Sequence, residues 1–143
     1  MATSPLQSEK KPQDAAYARA QDAIATARAS GAADLYLSGD DFSDLAVLPP
    51  DIGSLTALKN LTLMGTQVSD ISALSGLEGL KYLDLSGTQV NDIAALSGLT
   101  ALSFLELSGT QVKDLSPLLS LTQFLDAHQS AGLAFKNTAA DPR

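Results

Sequence analysis

The sequence contains no cysteine and no tryptophan, and its only histidine is His128. Without cysteine there can be no disulfide framework, no thiolate metal site and no cysteine nucleophile. Any catalytic triad or imidazole metal site would have to use His128, and the glycines form no phosphate-binding loop. These absences predict a protein that is not an enzyme and that uses no cofactor or metal ion.

Long apolar runs are also missing from the sequence. No uninterrupted hydrophobic stretch approaches the ~18 residues that a membrane-spanning helix needs, and residues 1–14 lack the apolar core of a secretory signal. We therefore expect a soluble chain without membrane insertion, cytoplasmic by default. Export by a signal that is not visible in this sequence is the alternative.

Positive charge is scarce, and the acidity is unevenly distributed. The 143 residues carry a formal net charge of −7, and residues 33–123 hold eleven acidic residues against three lysines. A protein that follows a nucleic-acid backbone needs the opposite charge, because much of its affinity comes from neutralising phosphates. The charge argues against nucleic acid as a partner and favours a basic protein surface.

The hydrophobic residues make up 45% of the chain and are mostly aliphatic. Many of them recur every 22 residues along the sequence. Such self-similarity indicates a repeat protein. Four columns of identical residues share this period: Leu61, Leu83 and Leu105; Leu63, Leu85 and Leu107; Val68, Val90 and Val112; and Leu77, Leu99 and Leu121.

Within one unit the spacing of the apolar residues changes from two to three. The strict alternation in Leu83-Asp84-Leu85 predicts a short strand with one buried face. Ser86-Gly87-Thr88 then predicts a turn, and apolar residues at every third position from Ile93 predict a 3₁₀ or short α-helical segment. One such unit cannot bury its leucines alone, so the units are expected to stack with their strands parallel.

Two polar columns within the units have structural explanations. The threonines that follow the strands are expected to bond the turn or one another. One carboxylate at the start of each helical turn is expected to cap that turn rather than to form a metal ladder. The columns are Thr66, Thr88 and Thr110, and Asp44, Asp70, Asp92 and Asp114.

The units LKNLTLMGTQV and LKYLDLSGTQV resemble the leucine-rich repeat family, whose units read LxxLxLxx followed by a polar residue. The resemblance covers about residues 33–123. Threonine stands where the family usually has asparagine, as in a 22-residue variant frequent among bacterial repeats. The resemblance implies an α/β fold: a right-handed solenoid with a short parallel β-sheet on its concave face, 3₁₀ or short helical turns on its convex face, and an N-terminal helical cap.

The chain divides into four predicted segments. Tyr17, Ala20 and Ile24 fall on one face of a predicted helix that Gly31 would end. A free amphipathic helix that binds a partner is the alternative for this part. The segments are a flexible N-terminus over 1–13, a capping helix over 14–32, the repeats over 33–123, and a C-terminal cap and tail over 124–143.

Both ends of the repeat array are expected to be irregular. The first unit, from Leu35, is longer than its successors, and we expect the additional residues on the convex side around Pro49 and Pro50. After Phe124 the pattern fails, and a short helix and an extended Leu133-Ala134-Phe135 are expected to close the solenoid. The tail that follows suggests a piece of a longer protein.

The outward positions of the strands vary while the scaffold repeats. The rings of Tyr36, Tyr82 and Phe104 are expected to face solvent beside the carboxylates of Asp84 and Glu106 and to anchor a partner. The alternative is that these rings only cover one another across the strands. The predicted partner-binding residues of the concave face are Asp34, Tyr36, Asn60, Thr62, Met64, Tyr82, Asp84, Phe104 and Glu106.

These features predict a protein–protein interaction module whose concave face binds a basic or amphipathic segment of another protein. No oligomeric state is predicted. The alternative is a structural spacer or self-association domain of a larger bacterial receptor-like or effector protein.

Overall fold

The computed structural model describes residues 12–121 and 133–134, in which an N-terminal helix is followed by short strands and 3₁₀ helices. The helix is α1 (Pro12–Ser30), and the strands are β1 (Asp34–Tyr36), β2 (Asn60–Thr62), β3 (Tyr82–Asp84), β4 (Phe104–Glu106) and β5 (Leu133–Ala134). The 3₁₀ helices are η1 (Asp40–Phe42), η2 (Pro50–Ser54), η3 (Ser72–Leu74), η4 (Ala94–Gly98) and η5 (Ser116–Ser120). His128 and most of the expected C-terminal cap lie outside the described residues.

The strands form one parallel sheet in the order of the sequence. Leu61 pairs with Leu83, and Leu83 pairs with Leu105, so the register follows the leucine columns of the sequence. A second ladder of backbone hydrogen bonds joins the coils beyond the strands, where the N–H of Gln89 donates to the carbonyl of Val68 at 3.0 Å. The coils therefore form one continuous stack, and the solenoid predicted from the repeats is confirmed.

The core lies between the sheet and the 3₁₀ helices. The inward leucines of adjacent strands are buried because alternate side chains of a strand point to opposite faces. Gly87, in the turn after β3, has φ of 69°, a left-handed conformation that other residues rarely adopt. Gly65 and Gly109 adopt the same conformation in the neighbouring coils, so the turn repeats with the sequence.

Buried threonines hold the turn that follows each strand. The hydroxyl of Thr88 donates to the carbonyl of Leu85 at 2.7 Å, and that of Thr110 donates to the carbonyl of Leu107 at 2.8 Å. Thr66, Thr88 and Thr110 are the buried polar residues of the described chain. A buried hydroxyl needs such a partner, because an unpaired polar group in the core costs free energy. The expectation that these threonines bond the turn is confirmed.

Aspartates begin three of the 3₁₀ helices. A carboxylate oxygen of Asp70 accepts from the N–H of Ser72 at 2.9 Å, and Asp92 and Asp114 accept in the same way from Ala94 and Ser116. The bond satisfies an N–H that has no partner within the helix. The capping prediction is confirmed at these three positions, whereas at Asp44, within the described part, the corresponding bond is absent.

The caps at Asp70 and Asp114 are expected to weaken at acid pH. Hydrogen bonds from the backbone and hydroxyl of Ser72 lower the pKa of Asp70, and those from the hydroxyl and backbone of Ser116 lower the pKa of Asp114. A carboxyl with a depressed folded pKa stabilises the fold above its unfolded pKa, and this contribution is lost as pH falls through the folded pKa.

A ¹³C NMR titration of the side-chain carboxyls tests this expectation. Both midpoints should lie below the ordinary aspartate value. Replacing Ser116 by alanine should raise the midpoint of Asp114 and leave that of Asp70 unchanged. Midpoints at or above the ordinary value in the unmodified chain would contradict the capping role.

The first coil is longer than the two that follow it, as predicted. Leu35 pairs with Leu61 across a longer stretch of chain than the one that separates Leu61 from Leu83. Most of the additional residues lie between Leu37 and Leu45, around η1, because the carbonyl of Leu45 takes the place in the second ladder that Val68 has in the next coil. The expected position around Pro49 and Pro50 is therefore wrong for most of them. Gly53 of η2 lies so close to the next coil that an added Cβ would be 2.9 Å from the carbonyl oxygen of Ala73. The insertion leaves the strand register unchanged.

Helix α1 covers the exposed end of the first coil. Ala16, Ala20, Ile24 and Ala27 are buried in the same core as the repeat leucines, and α1 contacts β1, η1 and η2. Gly31 ends the helix with φ of 65°. The capping prediction is confirmed for the described residues, and the alternative of a free partner-binding helix is wrong.

Strand β5 continues the sheet at the C-terminal end. Leu133 pairs with Leu105, and Ala134 pairs with Glu106. The stretch of chain between Leu105 and Leu133 exceeds the regular period of the repeats. The expected extended segment is confirmed at Leu133 and Ala134 as a strand of the sheet, and Phe135 lies outside the described residues.

Candidate functional site

The outward side chains of the strands form a surface that we call the strand face. Its members stand in three columns across the sheet, because the parallel register aligns equivalent positions of successive strands. All nine predicted partner-binding residues lie on it. The first column is Asp34, Asn60, Tyr82 and Phe104; the second is Tyr36, Thr62, Asp84 and Glu106; the third is Ser38, Met64, Ser86 and Ser108.

The aromatic side chains of the strand face differ in their exposure. Tyr36 is 61% exposed, and Met64 is 49% exposed. Tyr82 and Phe104 are half-buried, since their rings stack with centroids 4.8 Å apart and planes 6° apart. The expectation that all three rings face solvent is therefore wrong for these two, which cover each other across adjacent strands. Within the described residues no ring stacks on Tyr36, because Thr62 follows it in its column.

Three carboxylates accompany these rings. One oxygen of Asp84 accepts from the N–H of Ser86 at 2.9 Å and from its hydroxyl at 2.6 Å. Glu106 accepts from the hydroxyl of Ser108 at 2.9 Å, and Asp34 accepts from the side-chain amide of Asn60. Each of these carboxylates is held in place by a neutral donor of the strand face.

The charges of the strand face act on the phenol of Tyr82. Its pKa is raised, first by burial and then by the negative charges of Asp84 and Glu106, with a smaller effect of Tyr36. Each of these influences disfavours the phenolate. The phenol of Tyr82 is thus a neutral hydrogen-bonding group within an acidic patch.

A concavity of about 420 Å³ opens between the rings of Tyr36 and Tyr82. It forms because β2 carries the small side chains of Asn60 and Thr62 between two strands that carry rings. Asp84 lines one side of it. Its full lining is Tyr36, Ser38, Asn60, Thr62, Met64, Tyr82 and Asp84.

The cavity brings together six of the nine predicted residues. Asp34, Phe104 and Glu106 lie on the same face outside its lining. Ser38 also lines the cavity, although it is not one of the nine predicted binding residues. The sequence could have identified it, because it occupies the outward position directly after β1.

A second groove, of about 480 Å³, continues the strand face onto α1. Tyr36 and Asp34 form its sheet side, and Asp22 and Thr26 form its helix side. Sequence reasoning missed this contribution of α1. The sequence could have indicated it, because Asp22 and Thr26 are four residues apart and therefore lie on one face of the helix, beside its buried residues.

The opposite side of the solenoid has a different character. A hollow of about 650 Å³ lies between η3 and η4, where the capping residues Asp70 and Asp92 recur with their serine and alanine partners. Across residues 12–121 and 133–134 there is no cluster of three or more histidine, cysteine or acidic residues that could hold a metal ion. No helix of the described chain is long and apolar enough to cross a membrane.

Comparison with known proteins places these repeats in a family. Residues 56–112 match the leucine rich repeat family. An internalin (inlF) of Listeria monocytogenes is similar in structure, with a TM-score of 0.60 and 25% identity over 73% of this chain. The internalin C2 (inlC2) of the same organism has a TM-score of 0.51 and 37% identity over 56% of this chain.

The chain is shorter than these relatives, and it spans 27% of the first internalin and 37% of the second. No curated protein gives a significant match. The family match falls on the coils whose leucines pair in register, and the internalins share the parallel solenoid. Residues 56–112 are therefore leucine-rich repeats, and the strands on either side of them continue the same sheet.

Proposed function

We propose that this chain is a protein-binding module whose strand face holds a segment of another protein. The family and its internalin relatives support a protein-interaction repeat module. The observation that carries the assignment to the strand face is the exposed ring of Tyr36 beside an open cavity of about 420 Å³.

Large exposed side chains on a rigid sheet are typical of binding hot spots. Tyr36 and Met64 expose apolar surface that the fold itself does not use, and the strands beneath them are fixed by the core. A ring held by a rigid backbone loses little conformational freedom when a partner covers it. The stacked pair of Tyr82 and Phe104 extends this apolar area along the sheet.

Sequence variation also favours the strand face over the opposite side. The 3₁₀ turns repeat the same capping aspartates, whereas the outward strand positions differ from coil to coil. A surface that distinguishes one partner from another needs different groups at neighbouring positions. We infer that specificity resides in the nine residues identified above.

The charge of the strand face favours a basic or amphipathic segment as the occupant. Asp34, Asp84 and Glu106 contribute three carboxylates, and no lysine or arginine stands in the three columns. Complementary charge promotes association and discriminates between partners. On this proposal the segments 14–32 and 124–143 are caps, and the module has no catalytic role.

Selection of peptides from a random display library tests the proposal. Peptides enriched on the unmodified chain are expected to bind the double variant Tyr36→Ala/Tyr82→Ala at least about tenfold more weakly, since truncating hot-spot rings removes most of the contact energy. Circular dichroism should show that the variant remains folded. Binding constants would be measured by isothermal titration calorimetry.

Val47→Ala is the matched control for this experiment. Val47 is also 61% exposed, but it lies between η1 and η2 rather than on the strand face. The control should bind the selected peptides as the unmodified chain does. Failure to enrich any peptide, or equal binding by the folded double variant, would count against the proposal.

A further inference from the structure

We propose that the cavity between Tyr36 and Tyr82 is a subsite for a guanidinium group, the side chain of an arginine in the partner segment. This inference rests on the proposed function and specifies the chemistry that the strand face recognises. It follows from the preorganised ring of Tyr82, from the free oxygen of one carboxylate and from the absence of any cationic side chain in the described lining of the cavity.

The two rings stand on opposite sides of the cavity. Tyr36 stands on β1 and Tyr82 on β3, in neighbouring columns, so their backbones are at least about 10 Å apart at the usual strand spacing. The intervening side chains of Asn60 and Thr62 are too short to fill the gap, which leaves the open volume. This gap is wider than one planar group, so a flat group that enters it would stack on the ring of Tyr82, with Tyr36 at the far side of the cavity.

One ring of this pair is supported from behind. Phe104 stacks on Tyr82 at 4.8 Å, and this contact fixes the plane of the tyrosine before any ligand binds. Tyr82 is thus preorganised, and its face toward β2 borders the cavity. A preorganised ring contributes to binding without the entropic cost of ordering a mobile side chain.

The carboxylate of Asp84 supplies the negative charge. Its Oδ1 accepts both hydrogen bonds from Ser86, and within residues 12–121 no donor is bound to Oδ2. One oxygen therefore anchors the group while the other stays available to a donor in the cavity that Asp84 lines. None of the seven lining residues carries a positive charge, and so no basic group of the lining competes for this oxygen.

A guanidinium group can interact with both the ring of Tyr82 and the carboxylate of Asp84. It is planar, it stacks on aromatic faces, and its fork of N–H donors matches a carboxylate. An apolar side chain would cover Asp84 without offering it a hydrogen bond, which costs free energy. An ammonium group would meet the charge but is strongly hydrated and has no plane to stack.

NMR titration with short blocked peptides tests the subsite. The probes are acetyl-Gly-Arg-Gly-amide and the same peptide with citrulline or lysine in place of arginine. The arginine probe should give saturable shifts of the backbone amides of Tyr36, Tyr82 and Asp84. Citrulline keeps the shape but loses the charge and should bind at least about tenfold more weakly, and lysine should bind more weakly than arginine.

Two variants separate the local contact from the overall charge. Asp84→Asn should weaken arginine binding by about tenfold or more, while Glu78→Gln, which removes one exposed charge on a loop away from the cavity, should leave it within about twofold. Tyr36→Ala should also weaken it. Each variant must retain the thermal unfolding profile of the unmodified chain.

Three results would overturn the subsite: citrulline binding as well as arginine, equal losses in Asp84→Asn and Glu78→Gln, or shifts that fall outside the cavity. If one of these occurs while the selected peptides still depend on Tyr36 and Tyr82, the strand face remains the binding surface and only its guanidinium specificity is lost. If the selected peptides also bind the Tyr36→Ala/Tyr82→Ala variant as tightly as the unmodified chain, the proposed function fails as well.

Discussion

Replacing Leu83 by alanine is expected to lower the free energy of unfolding by about 2–5 kcal/mol. Leu83 has 0% exposure, and its strand neighbours Leu61 and Leu105 are equally buried above and below it. The hydrogen-bonded ladder holds adjacent strands at a fixed distance, so these neighbours cannot close the cavity that alanine leaves. The full cost of lost contacts and of the void is therefore expected.

Urea denaturation followed by circular dichroism measures this change, with Leu115→Ala as the control. Leu115 packs only partly against the core, so the same chemical change should cost about 1 kcal/mol there. A loss below about half a kcal/mol for Leu83→Ala would mean that the leucine ladder is not close-packed.

Introducing a charge at Ile24 is expected to lower the free energy of unfolding by about 3 kcal/mol or more. Ile24 is 1% exposed on the face of α1 that covers the first coil, among Ala20, Ala27 and the repeat leucines. An aspartate there would either bury an unpaired carboxylate or pull the helix away from the coil. In the second case the end of the leucine stack would be exposed to water.

Ala25→Asp is the matched control, because Ala25 is the exposed neighbour on the same helix. It introduces the same charge and a similar loss of helix propensity, and it should cost less than about 1 kcal/mol. Both variants would be compared by thermal unfolding. Equal stability of the two would show that α1 does not function as a cap.

The regular part of the fold could be predicted because one physical constraint recurs in each unit. Leucines at alternate positions must face inward, and the constant period of the repeats aligns Leu61, Leu83 and Leu105, so the parallel register follows directly from the sequence. The capping aspartates and the buried threonines were predictable for the same reason. Their roles depend on backbone groups close by in the chain.

The irregular parts depend on contacts that the period does not determine. Leu133 enters the sheet later than the period would place it after Leu105, and the repeat pattern gives no position for it. The stack of Tyr82 on Phe104 required knowledge of the side-chain conformations that bring these two outward rings face to face across adjacent strands. The contribution of Asp22 to the surface required the position of α1 against β1.

The candidate site was predicted as a set of residues but not as a shape. The columns followed from the register, and they correctly grouped Tyr36, Thr62 and Asp84 on one face. The cavity arises from the contrast between the rings on β1 and β3 and the short side chains on β2. Its depth is a property of side-chain conformations, which a repeat pattern leaves open.

Nuclear Overhauser effects between strands test the central claim most directly, namely that successive coils stack in parallel with the outward residues aligned. In a ¹⁵N- and ¹³C-labelled sample, we expect cross-strand contacts that connect Leu61 with Leu83 and Leu83 with Leu105, together with slow exchange of the amide of Leu85, which donates to the carbonyl of Glu106. Contacts in a shifted register, or coils joined by sequential contacts alone, would contradict both the solenoid and the strand face built on it.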